Sequence, residues 1–348
     1  MQIGSRGVGP DQPPLIIAEV AQSHEGSLGQ ALAFVDVAAE CGADAIKFQT
    51  HIATEESTPA EPWRKKFSLQ DDSRYAYWER MSFPKEHWAT LKARADEKGL
   101  IFLSSPFSVM ACDWLEELGM PAWKVASGEI YNEELLERIE RTKQPVLLSS
   151  GLNDFAVSER LVERFTGQGI DVALLHCTTM YPTPPGEVGL NVMEAFRDHF
   201  GDRALVGLSD HSGSPVPGIV ATYQGASVLE VHLTLHPAMF GPDVPASLTP
   251  EAFTALVQGA RFAWTMRQSM VRKELQLGDL AKELRIFTRS LVARRDLPMG
   301  HVLEAGDLAY KKPGGGIRYE ERDQLVGQVL TRAVARDSAL SLADVGRD

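Results

Sequence analysis

Eight short, almost continuously apolar runs constrain this chain more than any other feature. They fall at 15–20, 45–49, 100–104, 122–126, 146–150, 172–177, 204–208 and 228–233, each rich in Val, Ile and Leu. Strands that are apolar on both faces belong to parallel sheets covered on both sides. Between the runs lie stretches with helical spacing. Ser27 opens one that stops at Gly42, another ends at Gly99, and Thr249-Pro250-Glu251 reads as an N-cap, a proline at N1 and a dipole-complementing carboxylate. Strand and helix alternating eight times predict an α/β chain folded as a (β/α)8 TIM barrel. The runner-up, a doubly wound open sheet, would carry a GxGxxG or GxxxxGK[ST] turn after its first strand, and neither motif is present.

A barrel needs about 250 residues, so a chain of 348 has room for a second module. The pattern changes near residue 286 into short runs broken by Gly and Pro, which predicts a barrel over 1–285 and a small domain over 286–348. The net charge of −12 is carried by the barrel part, because the tail from Thr288 has 10 basic and 9 acidic residues. Such a chain is a poor non-specific nucleic-acid binder, since that binding draws on Lys and Arg to displace counterions. Three scattered cysteines, Cys41, Cys112 and Cys177, read as reduced thiols. No apolar run approaches a membrane span and the N-terminus lacks a signal-like apolar stretch, so the expectation is a soluble, cytoplasmic protein. The segment 54–77, charged and aromatic, reads as a long excursion after the second strand: a lid or substrate wall, or an extra surface helix.

Barrels place their chemistry at the C-terminal ends of the strands. Read there, the chain offers Glu19, Lys47 with Gln49 and His51, Ser105, Lys124 with Ser127 and Glu129, Ser149, His176 with Cys177 and Thr179, Tyr181, Ser209 with Asp210 and His211, and Glu230 with His232. Six of nine histidines lie at or just after strand ends. Any one of these polar groups can simply cap the barrel mouth; lysines inside buried strands, however, need an anion. Lys47 and Lys124, with Ser105, Ser127, Ser149 and Ser209, suit a phosphate and a carboxylate. His211 and His232, on consecutive strands, suit one divalent metal in an open site, with Asp210 as a candidate support behind them. Glu19 and Glu129 are the acid–base candidates. A Schiff-base aldolase using Lys47 or Lys124, and a sugar-binding protein without catalysis, are the other readings of the same residues.

IIAEVAQSHEGSLGQA, ADAIKFQTH, FLSSPF, WKVASGE, PVLLSSG, LLHCTTMYPTPP, GLSDHS, EVHLTL and GPDVPASL, in this order, resemble the motif string of the sialic acid synthase family. RSLVARRDLPMGHVLEAGDL and KKPGGGI resemble the antifreeze-like (SAF) domain that ends those enzymes. The resemblance implies condensation of phosphoenolpyruvate (PEP) with an N-acetylmannosamine-type hexose to a nine-carbon 2-keto acid and phosphate. It implies a divalent metal, Mn2+ or Mg2+, and a domain-swapped homodimer. By the same resemblance, Lys47, Lys124, Ser105, Ser127, Ser149, Ser209 and Thr179 bind PEP and His211 and His232 hold the metal. Glu19 and Glu129 join the lysines as catalytic groups, and Gln49, Tyr181, Asp243 and Lys312 face the sugar. The chain departs from the family pattern at Ser23, Glu25, Thr179, Val231, Val244 and Lys312, mostly on the sugar side.

Overall fold

A computed structural model of the chain describes residues 1–273 and 280–346. It divides into two compact units, Met1–Ser269 and Met270–Asp348.

The first unit is the (β/α)8 barrel. Its strands are β1 (Leu15–Ala21), β2 (Ala45–Thr50), β3 (Ile101–Pro106), β4 (Trp123–Val125), β5 (Val146–Ser149), β6 (Val172–Cys177), β7 (Leu205–Asp210) and β8 (Val228–His232). All ladders are parallel, in the order β3-β2-β1-β8-β7-β6-β5-β4, and β3 and β4 lie side by side at the seam. The barrel helices are α1 (Leu28–Glu40), α4 (Lys85–Glu97), α5 (Val109–Glu117), α6 (Glu133–Thr142), α7 (Phe155–Thr166), α8 (Leu190–Phe200), α9 (Val216–Gln224) and α10 (Pro250–Gln268). Two further helices, α2 (Ala53–Glu56) and α3 (Arg74–Met81), belong to the excursion after β2. Ser27, Ser73, Ser108, Asn132, Asp154 and Thr249 cap their helices through the side chain, each accepting a backbone N–H of the first turn. Gly42 ends α1 at φ +83°, a conformation that costs glycine nothing.

Strand alternation separates two cores. Outward residues such as Ile16, Ala18, Ile46, Phe48, Phe102, Leu148, Leu174 and Leu229 pack under the helices. Inward residues Leu15, Ile17, Ala45, Leu103, Ala122, Leu147, Ala173, Leu175 and Val228 fill the N-terminal half of the barrel. An antiparallel hairpin, Gln2–Ile3 with Arg6–Gly7, closes that end and adds Ile3 and Val8 to the same cluster. Asp44 ties the plug down: it accepts from Arg6 (2.7 Å), from Arg261 of α10 (2.6 Å) and from the Ile16 N–H (2.8 Å). With the lower interior filled by hydrocarbon, only the upper half can hold polar groups. No helix among the described residues is long and apolar enough to cross a membrane.

The second unit has its own small core of Leu291, Leu297, Leu303, Leu325, Leu330, Val334 and Leu340. α11 (Ala281–Phe287) leads into β9 (Ser290–Ala293), which pairs antiparallel with β10 (Leu308–Lys311); β11 (Val329–Leu330) pairs with β12 (Val345–Gly346). Stretch 302–308 is mostly turn: a short 3-10 helix at Ala305–Asp307, boxed by Glu304 and Asp307, replaces a continuous strand. Asp307 is a hub that accepts from His301 Nε2 (2.6 Å), Arg295 Nη2 (2.7 Å) and the Glu304 N–H (3.1 Å). Burial alone would raise its carboxyl, but the bonds from His301, Glu304 and Arg295 outweigh burial and hold it at about 2.

Two outcomes follow from these packings. Ile3→Ala empties part of the barrel plug and should cost about 2–4 kcal/mol in chemical denaturation, with activity of the folded fraction unchanged. Asp307 has a folded pKa below its ordinary value, so its contribution to stability is full above about pH 4 and is lost as pH falls through about 2. Hydrogen exchange of the 290–346 amides across that window should show progressive opening, and Asp307→Asn should flatten the dependence.

Candidate active site

The same alternation that fills the lower barrel with Leu, Ile and Ala puts Glu19, Lys47, Ser105, Lys124, Ser149, Ser209 and Glu230 one step higher and His232 two, all buried. Four of them form a linked quartet of charges. Lys47 Nζ lies 2.5 Å from Glu19 Oε2 and 3.8 Å from Glu230 Oε2, and Lys124 Nζ lies 3.4 Å from Glu230 Oε1. The serines complete the donors and acceptors. Lys47 donates to Ser105 Oγ (3.3 Å), Lys124 to Ser149 Oγ (2.6 Å), and Ser209 Oγ to Glu230 Oε1 (3.0 Å). Ser127 Oγ accepts the Gly151 N–H at 3.1 Å. A Cβ at Gly151 would sit 2.7 Å from Ser127 Oγ, 2.8 Å from Thr179 Cγ2 and 3.0 Å from Cys177 Sγ, so only glycine lets these groups meet.

The two carboxyls of the quartet respond in opposite directions. Burial pushes Glu19 up to about 7, against Lys47. Burial also acts to raise Glu230, but Lys124 and Lys47 outweigh it and bring it to about 2. The lysines thus favour the ionised form of Glu230, while burial dominates at Glu19. Lys47 is raised although burial opposes, because Glu19 and Glu230 favour its charge. It remains an ammonium group, which a Schiff-base nucleophile cannot be.

His211 and His232 come together with Tyr181. Their ring centroids are 5.3 Å apart, and Tyr181 stacks on His211 at 4.1 Å with its hydroxyl 3.0 Å from Nε2. His211 Nδ1 donates to the Thr178 carbonyl at 2.8 Å, which leaves Nε2 with its lone pair. His232 Nδ1 is buried without a partner. Burial lowers the pKa of both rings, so both are neutral, the form that ligates a cation. The pair fits a divalent metal whose other positions go to water or substrate. No group of three or more His, Cys, Asp or Glu that could hold a metal occurs among the described residues. Asp210 does not support the pair: it faces away from the interior and accepts from Ser212 Oγ (2.6 Å), and the Thr178 carbonyl takes that place behind His211.

A cleft of about 660 Å3 adjoins the quartet through Gln49, which lines it and donates to Glu19 Oε1 at 2.9 Å. His51, Glu56, Trp78, Phe107 and Glu129 line it further out. The excursion after β2 thus forms a wall, with α2 and α3 supplying Glu56 and Trp78. Glu129 stands in this cleft rather than in the quartet, held by Asn132 Nδ2 at 2.8 Å and raised by burial and by Glu56. Asp243 is raised to about 6 by burial, with Arg64 opposing. Lys312 belongs to the second unit, where it is exposed with its ammonium 5.3 Å from the centre of the Phe287 ring.

Several strand-end residues have structural duties. His24 packs on Phe83 and accepts the Gly26 N–H, and burial takes its pKa to about 3. His176 points outward to the Val188 carbonyl (2.9 Å). Cys177 is a buried thiol raised to about 11 by burial, and all three cysteines are free.

Residues 34–272 match the NeuB family, and residues 288–346 match the SAF domain. This chain belongs to the NeuB family. It is 32% identical over 332 residues to the N,N'-diacetyllegionaminic acid synthase of Campylobacter jejuni, covering 94% of this chain and 98% of that protein. It is 30% identical over 341 residues to the human N-acetylneuraminate-9-phosphate synthase, covering 96% and 93%. Among solved structures, the N-acetylneuraminic acid (sialic acid) synthetase of Leptospira borgpetersenii, in complex with citrate, superposes with a TM-score of 0.72 at 26% identity, covering 81% of this chain and 96% of that one. This NeuB-family chain keeps charge balance in its barrel through Glu230, a residue the motif reading placed on the last strand without a role. The signal was available: in VLEVH, Glu230 and His232 share the inward face.

Each ion in the quartet is tolerated only because of the others. Lys124→Met and Glu230→Gln should each cost about 3 kcal/mol or more in urea unfolding, and the double variant less than their sum, because each single change strands a buried charge.

Proposed function

We propose that this chain is a nonulosonic acid synthase. It joins C3 of PEP to C1 of an N-acetylmannosamine-type or related hexose and yields a 2-keto-3-deoxy nine-carbon acid and inorganic phosphate. The single observation that carries this reading is the pair of lysines held inside the barrel by displaceable carboxylate partners. PEP brings a phosphate and a carboxylate, and these can take ammonium and serine donors that Glu19 and Glu230 now occupy.

In this reading Lys47 and Lys124 orient PEP, with Ser105, Ser127, Ser149, Ser209 and Thr179 as donors around its anionic ends. Gln49, Tyr181 and Asp243 orient the hexose so that its aldehyde carbon meets C3 of PEP. His211 and His232 would hold a divalent ion such as Mn2+ or Mg2+, which when bound supplies Lewis-acid polarisation of the aldehyde oxygen. As the C–C bond forms, positive charge develops at C2 of PEP, and the carboxylate of Glu230 would stabilise it. Glu19 takes a proton from the water that adds at C2, a role suited to a carboxyl pushed up to about 7. Collapse of the tetrahedral carbon breaks the C2–O bond and releases phosphate, whose charge both lysines meet. Glu129, in the cleft, is the second carboxyl available to the sugar's hydroxyls.

The same reading makes the protein a cytoplasmic, metal-dependent homodimer whose SAF domains are exchanged, with Lys312 delivered to the partner's barrel mouth. The balanced charge of each lysine and the ammonium state of Lys47 support this reading over a Schiff-base aldolase. Incubation with PEP, Mn2+ and a panel of 2-acylamino hexoses should release phosphate with at least one sugar and give a product of the summed mass less phosphate plus water. Lys47→Met and Lys124→Met should each lower kcat/KM by about 100-fold or more, as expected for loss of a charge that meets the transferring phosphate. Silence with every hexose, alongside measurable PEP binding, would overturn the acceptor class.

A further inference from the structure

Glu19 is connected to the far wall of the cleft by an unbroken line of hydrogen bonds. Its Oε1 accepts from Gln49 Nε2 at 2.9 Å. Gln49 Oε1 accepts from Gln22 Nε2 at 3.2 Å and faces His51 Nε2 at 3.3 Å. On the other side of the ring, His51 Nδ1 meets Glu56 Oε1 at 2.6 Å. The direction of this line follows from the chemistry of its members. A glutamine side chain has one donor end and one acceptor end. Its donor end is committed to Glu19, so its carbonyl faces His51. A ring nitrogen that faces a carbonyl bonds to it only by donating, and the nitrogen that faces Glu56 shares a proton with that carboxyl.

His51 has no edge left for a substrate. The side chain is 3% exposed. Trp78 stacks on the ring with centroids 4.2 Å apart and Phe107 with centroids 4.1 Å apart, both nearly parallel to it. Both nitrogens are engaged. A ring so clamped cannot turn, and its remaining influence is on Gln49. A primary amide can otherwise rotate by half a turn at little steric cost, because its oxygen and nitrogen are nearly the same size. In the turned state a carbonyl oxygen would face the Glu19 carboxylate, and the bond that orients Glu19 would become a repulsion.

We infer that Glu56 and His51 are positioning residues that lock the Gln49 amide with its N–H toward Glu19, and so hold the Glu19 carboxylate beside Lys47 in the orientation the reaction uses. The parts converge from separate segments: Glu56 from α2, Trp78 from α3, Phe107 from the loop after β3, and Gln49 with His51 from β2 and its end. The long excursion after β2 therefore has a purpose beyond walling the cleft, because it carries Glu56 and one face of the clamp. The inference deepens the synthase reading and rests on it for the role of Glu19.

The test uses the full chain and three variants. His51→Phe keeps the aromatic stack and removes both ring nitrogens; His51→Gln restores one amide donor; Glu56→Gln removes the anchoring carboxyl. His51→Phe and Glu56→Gln should lower kcat by about 10–100-fold, the range for losing a bond that orients a catalytic group, with KM for PEP within roughly threefold of wild type. His51→Gln should recover a substantial part of that loss. A His51→Phe enzyme with unchanged kcat, a loss carried by the KM for PEP, or a His51→Gln variant no better than His51→Phe would each overturn the inference. A second measurement does not depend on turnover. In spectra of the chain carrying 15N-labelled histidine, with His51 assigned by its absence in His51→Phe, Nε2 of His51 should carry a proton, and a bare Nε2 overturns the inference whether or not any sugar is consumed. A proton on His51 Nε2 in a chain that releases no phosphate from PEP would defeat the synthase reading and leave the positioning geometry standing.

Discussion

The quartet of Glu19, Lys47, Glu230 and Lys124 is the interaction on which the rest of the molecule depends. Four ionisable side chains, each nearly inaccessible to solvent, occupy one small volume inside the barrel. Any one of them alone would cost several kcal/mol to bury. Together with their serine partners they satisfy one another well enough to be carried, and they stay ready to exchange partners with an incoming anion. That state is possible only because the interior below is filled by hydrocarbon and by the Ile3 plug, which leaves the site no room to relax downward. The stability of the barrel and its capacity to bind an anion come from the same layer of side chains.

The charge distribution acquires a meaning from this arrangement. The chain is acidic overall, at −12, and the cleft beside the quartet is walled partly by Glu56 and Glu129. The cleft wall also carries Arg74, which pairs with Glu61. Behind that wall lie the two lysines, whose charge Glu19 and Glu230 balance. Lysines inside, each balanced by a displaceable carboxylate, and a hydrogen-bonding cleft outside suit a reaction that joins an anion to a polyol. The line Glu19–Gln49–His51–Glu56 runs between the two environments.

Much of this was legible in the residues, and the exceptions have physical reasons. Lysines at positions 47 and 124 stood out because they interrupt apolar strands, and their inward placement followed from the two-residue period of a strand. The same period, applied one residue further along β7, separates inward Ser209 from outward Asp210, which is why Asp210 caps Ser212 instead of supporting His211. Glu230 was visible as a strand residue, but its duty depends on two lysines that are over a hundred residues away in one case and nearly two hundred in the other. Glu129 matched a motif and sits in the cleft, apart from the ion cluster. His51 carried no signal of a clamp, because Trp78, Phe107 and Glu56 reach it only through the folded excursion and the end of β3.

By itself the sequence determined the eightfold alternation of strand and helix, the change to a second small module, and the list of polar residues at strand ends. These are local properties: periodicity, caps and turns act over a few residues, and they are written in consecutive letters. The tertiary structure decided which of those polar residues share a charge, which way Gln49 presents its amide, and which histidines face the interior rather than pack beneath a helix. Those outcomes depend on desolvation and on distances of a few ångströms between segments far apart in the chain, and only closing the barrel brings such segments within reach of one another.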